Sequence, residues 1–331
     1  MRILLISMGS IGERHYKNIK KLLPKSEIKI LRTKNKKKNY TEEVSFSEAK
    51  SFDPNLVLIN SPANKHFYYY KKFFKKSRSF FIEKPLESKI SNLDLNFLNK
   101  RNKFLMIGYV LRFDNILLTL KKNIKNKKYG KVKLVDIKVG QYLPDWRKNK
   151  NYKHGVSAQK KLGGGVLLEL SHEIDYATWL FGFPKKIIGL TKKLSNLKIN
   201  VEDVANIIMD YPDKTIQISL DFLQMVAKME LKIVFDNATI YADLIDQKLK
   251  VYDKKFPNGK DLKFSKFKNG NEIYLKQFDF LFYKSFKNYR PKYNSTKKFN
   301  NFSNHKTATK VLDIIEKIKL SNKSGKKILL N

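Results

Sequence analysis

No cysteine occurs in the 331-residue sequence. That absence excludes a disulfide-stapled fold, a cysteine nucleophile and Cys-ligated zinc or iron–sulfur centres. Acidic residues are scarce as well: 30 Asp+Glu face 69 Lys+Arg, for a formal net charge of +39. Long apolar runs are missing, and no window approaches the roughly 18 uninterrupted apolar residues that a membrane-spanning helix requires. The run Met1–Ile6 is too short for a signal peptide, and no small-residue cleavage site follows it. A cytoplasmic protein without membrane association is expected. With 42% hydrophobic and 13% aromatic residues, the chain can bury a core despite its charge. Its length suits two domains.

Arginine is also rare, at eight of the 69 basic residues. Proteins that read nucleic acid rely on Arg for bidentate contacts to bases and phosphates. Here the excess is lysine, accompanied by Asn, Ile, Phe and Tyr, residues that share A/T-rich codons. The clusters Lys34–Lys38 and Lys121–Lys128 lack the interleaved aromatics of a single-strand binder. A solvated basic surface without a specific nucleic-acid partner is the simpler reading.

What is present divides into two patterns. Ile3–Ile6, Ile28–Leu31, Leu56–Ile59, Phe80–Ile82 and Phe104–Ile107 are short continuous apolar runs, as in strands buried on both faces of a parallel sheet. Helix-like segments separate them at 13–23, 48–52, 64–75 and 92–100. The alternation predicts a doubly wound α/β domain over residues 1–112. After Phe113 the period changes. Thr215–Phe222 and Met229–Ile233 alternate strictly, and Val132–Val139, Lys186–Thr191 and Val204–Asp210 are further strand candidates. They predict an α/β domain over 113–331 with an open, mainly antiparallel sheet. Leu167–Phe181 reads as a single helix stopped by Gly182, and a terminal helix is expected over Ala308–Leu320.

Strand 3–6 runs into Ser7-Met8-Gly9-Ser10-Ile11-Gly12, and a helix follows. Strand, glycine turn and helix N-terminus together form a dinucleotide site, in which N–H groups around Ser10 and Ile11 would hold the pyrophosphate. Gly9 would let the backbone approach the anion, and Gly12 would allow close helix–strand packing. Ser7 stands where the first glycine is usual. Twenty residues past Gly12 comes Arg32, then Thr33, with no acid between Glu27 and Glu42. A cation there favours the 2′-phosphate, hence NADP(H) over NAD(H).

Three more segments, in order, are Ser61-Pro62-Ala63-Asn64-Lys65-His66, Glu83-Lys84-Pro85 and Gly163-Gly164-Gly165-Val166-Leu167-Leu168-Glu169-Leu170-Ser171-His172-Glu173-Ile174-Asp175. With the glycine turn, His15 and Gly108–Phe113, they resemble the Gfo/Idh/MocA family, the glucose–fructose oxidoreductase and inositol dehydrogenase group. The resemblance implies a Rossmann domain followed by a substrate and oligomerisation domain. It implies hydride transfer between nicotinamide and a sugar-type carbinol or carbonyl, with Lys84 and His172 as the catalytic residues. It sets Ser61, Pro62, His66, Glu83, Lys84 and Arg112 around the cofactor. Trp146, Arg147, Glu169 and His172 are set toward the substrate. The family's helix acid precedes its histidine by four residues, whereas Glu169 precedes His172 by three. Segment 142–158 resembles a branch associated with surface-carbohydrate synthesis, and a nucleotide-linked or acidic sugar suits the basic surface. A homo-oligomer, a dimer or tetramer, is implied, and no metal is expected. Two rival readings are an inactive dinucleotide-binding sensor and a nucleic-acid-associated basic protein.

Overall fold

β1 (Arg2–Ile6) starts a sheet whose residues leave almost nothing exposed on either face. The computed structural model describes residues 1–32, 40–100, 103–147, 151–293 and 300–330. From β1 the chain continues through α1 (Ser10–Leu22), β2 (Glu27–Leu31), β3 (Glu43–Val44), α2 (Phe46–Ser51), β4 (Leu56–Ile59), α3 (His66–Phe73), β5 (Ser79–Ile82), α4 (Leu95–Leu98) and β6 (Phe104–Ile107). All five apolar runs are strands, each within one residue of its expected bounds. Every pairing is parallel, in the order β3-β2-β1-β4-β5-β6. The order reverses between β1 and β4, and open α/β sheets bind ligands beyond the strand ends at such a reversal. α2 is short and opens with a capping box between Ser45 and Glu48. β3, two residues long, carries no apolar run and gave no strand signal.

The second unit begins with α5 (Asn115–Lys125), whose N-terminus is capped by Asp114 accepting from the amides of Ile116 and Leu117. Next come β7 (Val132–Gly140), α6 (Val166–Glu169), α7 (Ser171–Phe181), β8 (Lys186–Lys192), β9 (Val204–Asp210), β10 (Thr215–Asp221), β11 (Lys228–Phe235), β12 (Ala238–Asp243), β13 (Lys248–Asp253) and β14 (Phe256–Asp261). Together with β15 (Ile328–Leu329) they order as β14-β13-β12-β11-β7-β10-β9-β8-β15. Only β7–β10 is parallel among these pairings. Alternation works as expected: Ala205, Ile207 and Met209 are buried on β9 while Ile208 is exposed.

The expected single helix over Leu167–Phe181 is instead two. Leu170, at φ −97° and ψ 34°, leaves the helical path between α6 and α7. Val166, Leu167 and Leu168 are all buried. The Leu170 N–H still closes the last turn of α6 on the Val166 carbonyl at 2.9 Å, while its ψ of 34° takes the chain off the helical path.

α8 (Glu272–Ser285) and α9 (His305–Ser324) complete the chain. A single boundary at 112/113 does not describe the two compact units. The first comprises Met1–Phe113 and Lys268–Thr309, and the second Asp114–Phe267 and Lys310–Asn331. The returning segment belongs to the first unit because α8 buries Phe278, Phe280 and Phe282 there. The Phe278 ring lies 4.7 Å from that of His15 and 5.6 Å from that of Phe81. Asn18 and Asn271 exchange reciprocal amide hydrogen bonds of 3.2 and 2.8 Å.

Candidate active site

In the first unit the candidate residues gather where the strand order reverses. Ser7 adopts φ +73°, a left-handed conformation that glycine takes without penalty, which explains why glycine is usual there. Its N–H donates to the Leu31 carbonyl at 2.9 Å, tying the turn to the end of β2. Gly9 is the N-cap of α1, and no side chain caps that helix. A Cβ added to Gly12 would lie 2.5 Å from the Ser7 carbonyl oxygen, whereas one added to Gly9 would meet nothing within 4 Å. Gly12 therefore serves packing, and Gly9 faces open space at a helix N-terminus, the setting for a bound phosphate.

Asn60 and Ser61 follow β4 on the other side of the reversal, Asn60 donating its N–H to Ile6. They are 6% and 7% exposed. Both amide atoms of Asn60 and the Ser61 hydroxyl lack a hydrogen-bond partner. Buried polar groups left unsatisfied cost about 1–3 kcal/mol each, so such a group calls for a partner from outside the chain. The open Gly9 turn and these orphaned groups fit a nicotinamide dinucleotide. Asn60 escaped the sequence reading; an amide directly after a fully apolar strand was the only signal.

Lys84 is half-buried and joined to Pro85 by a cis peptide bond. Two histidines hold its turn. His15, on α1, contacts the Glu83 carboxylate at 2.5 Å, and the other oxygen of that carboxylate accepts from the Lys84 N–H at 3.2 Å. The fully buried His66 ring spans two turns, with Nδ1 2.8 Å from the Pro85 carbonyl and Nε2 2.7 Å from that of Ser61. Burial lowers the His66 pKa, opposed by those carbonyls and by the Glu87 and Glu83 carboxylates. Glu83 and His66, expected to face the cofactor, also hold the turns that follow β4 and β5. Arg112 is buried, and a terminal guanidinium nitrogen donates to the Phe302 carbonyl at 3.3 Å.

Arg32 immediately follows β2. Its Nε donates to Glu43 at 2.7 Å. Next to this pair, Glu42 accepts from the Tyr16 hydroxyl at 2.8 Å and meets Lys20 at 3.2 Å. Burial and the bond to Glu42 push the Tyr16 phenol up to about 12. Thr33, and the Lys34–Lys38 cluster, lie outside the described residues.

In the second unit, Glu169 ends α6 and His172 lies in the first turn of α7, both half-buried. The break at Leu170 puts them on different helices, so a shared helix face does not relate them. Beyond them, Glu173 and Asp175 are buried, and so is Tyr176. The Tyr176 phenol is raised well above its usual value by burial, then by the charges of Glu173 and Asp114. Trp146 donates its indole N–H to the Gln141 carbonyl at 3.1 Å and stands edge-on to Phe222 at 5.1 Å. Arg147 beside it is exposed. Among the described residues no group of three His, Asp or Glu could hold a metal ion, and no helix is long and apolar enough to cross a membrane.

Residues 117–241 match the model of the GFO/IDH/MocA C-terminal domain. The chain is similar to scyllo-inositol 2-dehydrogenase (NADP(+)) IolW of Bacillus subtilis, 25% identical over 195 residues, covering 56% of this chain and 52% of that protein. It spans about half the length of the curated relatives it matches. Among solved structures, it is similar to the WlbA dehydrogenase of Bordetella pertussis in complex with NADH and UDP-GlcNAcA. That likeness has a TM-score of 0.76 at 16% identity, over 100% of this chain and 98% of the other. The aldose–aldose oxidoreductase of Caulobacter crescentus superimposes with a TM-score of 0.77 at 16% identity, over 100% and 99%. These likenesses establish the shared two-part fold.

Proposed function

We propose that the chain is a nicotinamide-dinucleotide-dependent oxidoreductase of the Gfo/Idh/MocA type, a reading supported by the match of residues 117–241 to that family's C-terminal domain. Its substrate is a carbinol or carbonyl of a sugar or sugar derivative, nucleotide-linked or acidic. The observation that carries the cofactor reading is the orphaned Asn60 and Ser61 groups beside the open Gly9 turn. When bound, the dinucleotide supplies or takes up the hydride at nicotinamide C4. Arg32 is the group suited to a 2′-phosphate, which favours NADP(H) over NAD(H).

The chain's own residues handle binding and the proton. Backbone N–H groups of Ser10 and Ile11 hold the pyrophosphate at the α1 N-terminus. Lys84 Nζ holds the substrate hydroxyl and takes its proton on oxidation, returning it on reduction. In the second unit, His172 is the candidate acid–base group, and Glu169 and Arg147 are the candidates for binding substrate hydroxyl and anionic groups. The related WlbA and IolW, which handle a nucleotide-linked sugar acid and an inositol respectively, support this substrate class. A homo-oligomer is supported by the outer face of the second unit's sheet. There Asp136, Glu230 and Asp243 alternate with Lys138, Lys232 and Lys248 around a groove, a self-complementary pattern for a second copy.

The test is a titration with NADPH and NADH near physiological salt, read by nicotinamide fluorescence, followed by turnover of sugars and nucleotide sugars. Lys84→Met and His172→Ala should each lower turnover by roughly 10²–10⁴-fold, with dinucleotide affinity changed only a few-fold. Unchanged turnover in both variants would sink the catalytic assignment and favour a dinucleotide-binding sensor.

A further inference from the structure

Arg32 and Glu43 are eleven positions apart in the chain yet form one of the tightest ion pairs of the first unit. Arg32 Nε and Glu43 Oε1 are 2.7 Å apart, with side chains 17% and 5% exposed. The pairing is produced by β3, which runs parallel to β2 with Glu43 opposite Ile30 and Val44 opposite Leu31. Arg32 leaves β2 right after Leu31, whose carbonyl receives the Ser7 N–H of the glycine turn. The end of the second strand, beside that turn, is where the adenosine ribose of a dinucleotide lies in a Rossmann unit. An acid therefore does stand at this position, delivered by a neighbouring strand rather than by the chain segment that follows β2.

Resting on the dinucleotide reading above, we propose that Glu43 is a specificity-determining residue acting through Arg32. Its carboxylate neutralises the guanidinium, engages its Nε edge and restrains the preference for a 2′-phosphate that Arg32 alone would confer. The chemistry is electrostatic. A 2′-phosphate brings close to two negative charges into a place already holding the Glu43 carboxylate, with that of Glu42 next to it. A free 2′-hydroxyl brings none. Glu42 is matched separately by Tyr16 and Lys20, so Glu43 is the carboxylate whose removal releases the arginine. One negative charge within about 6 Å of a phosphate dianion, even in a water-like dielectric, corresponds to a factor on the order of ten in binding.

The experiment compares the full-length wild type with Glu43→Gln, Arg32→Gln and the double variant. NADPH and NADH are titrated separately near physiological salt, and nicotinamide fluorescence is the readout. Glu43→Gln is nearly isosteric; Glu43→Thr serves as a second, shorter replacement, and a thermal melt verifies folding of each. Both should tighten NADPH on the order of tenfold while NADH stays within about twofold, and the gain should vanish when Arg32→Gln is added. Saturable binding with an NADPH-to-NADH ratio unmoved by either Glu43 replacement overturns the inference alone. So does a gain that survives Arg32→Gln, because Glu43 would then not act through the arginine. Binding of neither cofactor by the wild type overturns the dinucleotide reading, and this inference with it.

Discussion

Two glycines three residues apart have opposite jobs in the first turn of the chain. Gly12 has the Ser7 carbonyl where its Cβ would be, so Gly12→Ala must push backbone against backbone. A loss of about 1–3 kcal/mol is expected from such overpacking, measurable as a shifted urea midpoint. Gly9 has an ordinary backbone, φ −81° and ψ −173°, and nothing near its missing side chain. Gly9→Ala should cost less than about 1 kcal/mol of stability, as at other N-cap positions, yet markedly weaken NADPH binding. Equal stability losses in the two variants would contradict these roles. His66 gives a pH prediction. Burial lowers its pKa, so the unfolded chain takes up a proton on acidification that the folded state resists. The stabilising contribution is complete above the unfolded value of about 6.5 and is lost as pH falls from there through the folded value. Thermal midpoints should decline across that acidic window, and His66→Gln should flatten the decline.

At the scale of elements, the strands of the first unit were legible because burial on both faces leaves an uninterrupted apolar run. In the second unit β7 to β11 were legible because one wet face imposes alternation, whereas β13, β14 and β15 drew no strand expectation. β3 was not legible: two residues, both partly exposed, carry neither signature. α8 was missed because its aromatics are spread over more than one face; Phe278, Phe280, Leu281 and Phe282 are all buried. The missed helix proves to be part of the first unit, packed on His15 and Phe81. Phe278→Ala should therefore destabilise that unit by about 3–5 kcal/mol. Hydrogen exchange should show α1 and β5 losing protection together, while the β9–β10 ladder of the other unit keeps its own. The break at Leu170 has the same lesson in reverse. A 3.6-residue period continues across it, but the backbone does not, so Glu169 and His172 lie on separate helices.

For the whole molecule, a net charge of +39 spread over scattered lysines predicts weak, sequence-indifferent attraction of polyanions. Its affinity for duplex DNA should fall steeply between ~50 and ~200 mM salt, the mark of counterion release, while NADPH binding at the Gly9 turn, with fewer charges to screen, should change far less. Specific DNA binding that survives ~150 mM salt would instead support a nucleic-acid role. The sequence by itself determined the α/β class, the glycine turn and the Glu83-Lys84-Pro85 turn. Each of these is encoded by residues adjacent in the chain, through period, turn chemistry and strand burial. Tertiary structure alone decided which side chains hold the turns. The pairing of Arg32 with Glu43, the grip of His15 and His66 on the Lys84 turn, and the return of residues 268–309 to the first unit all join distant segments. Such contacts depend on which strands lie side by side and which faces pack, and a one-dimensional pattern does not carry that information.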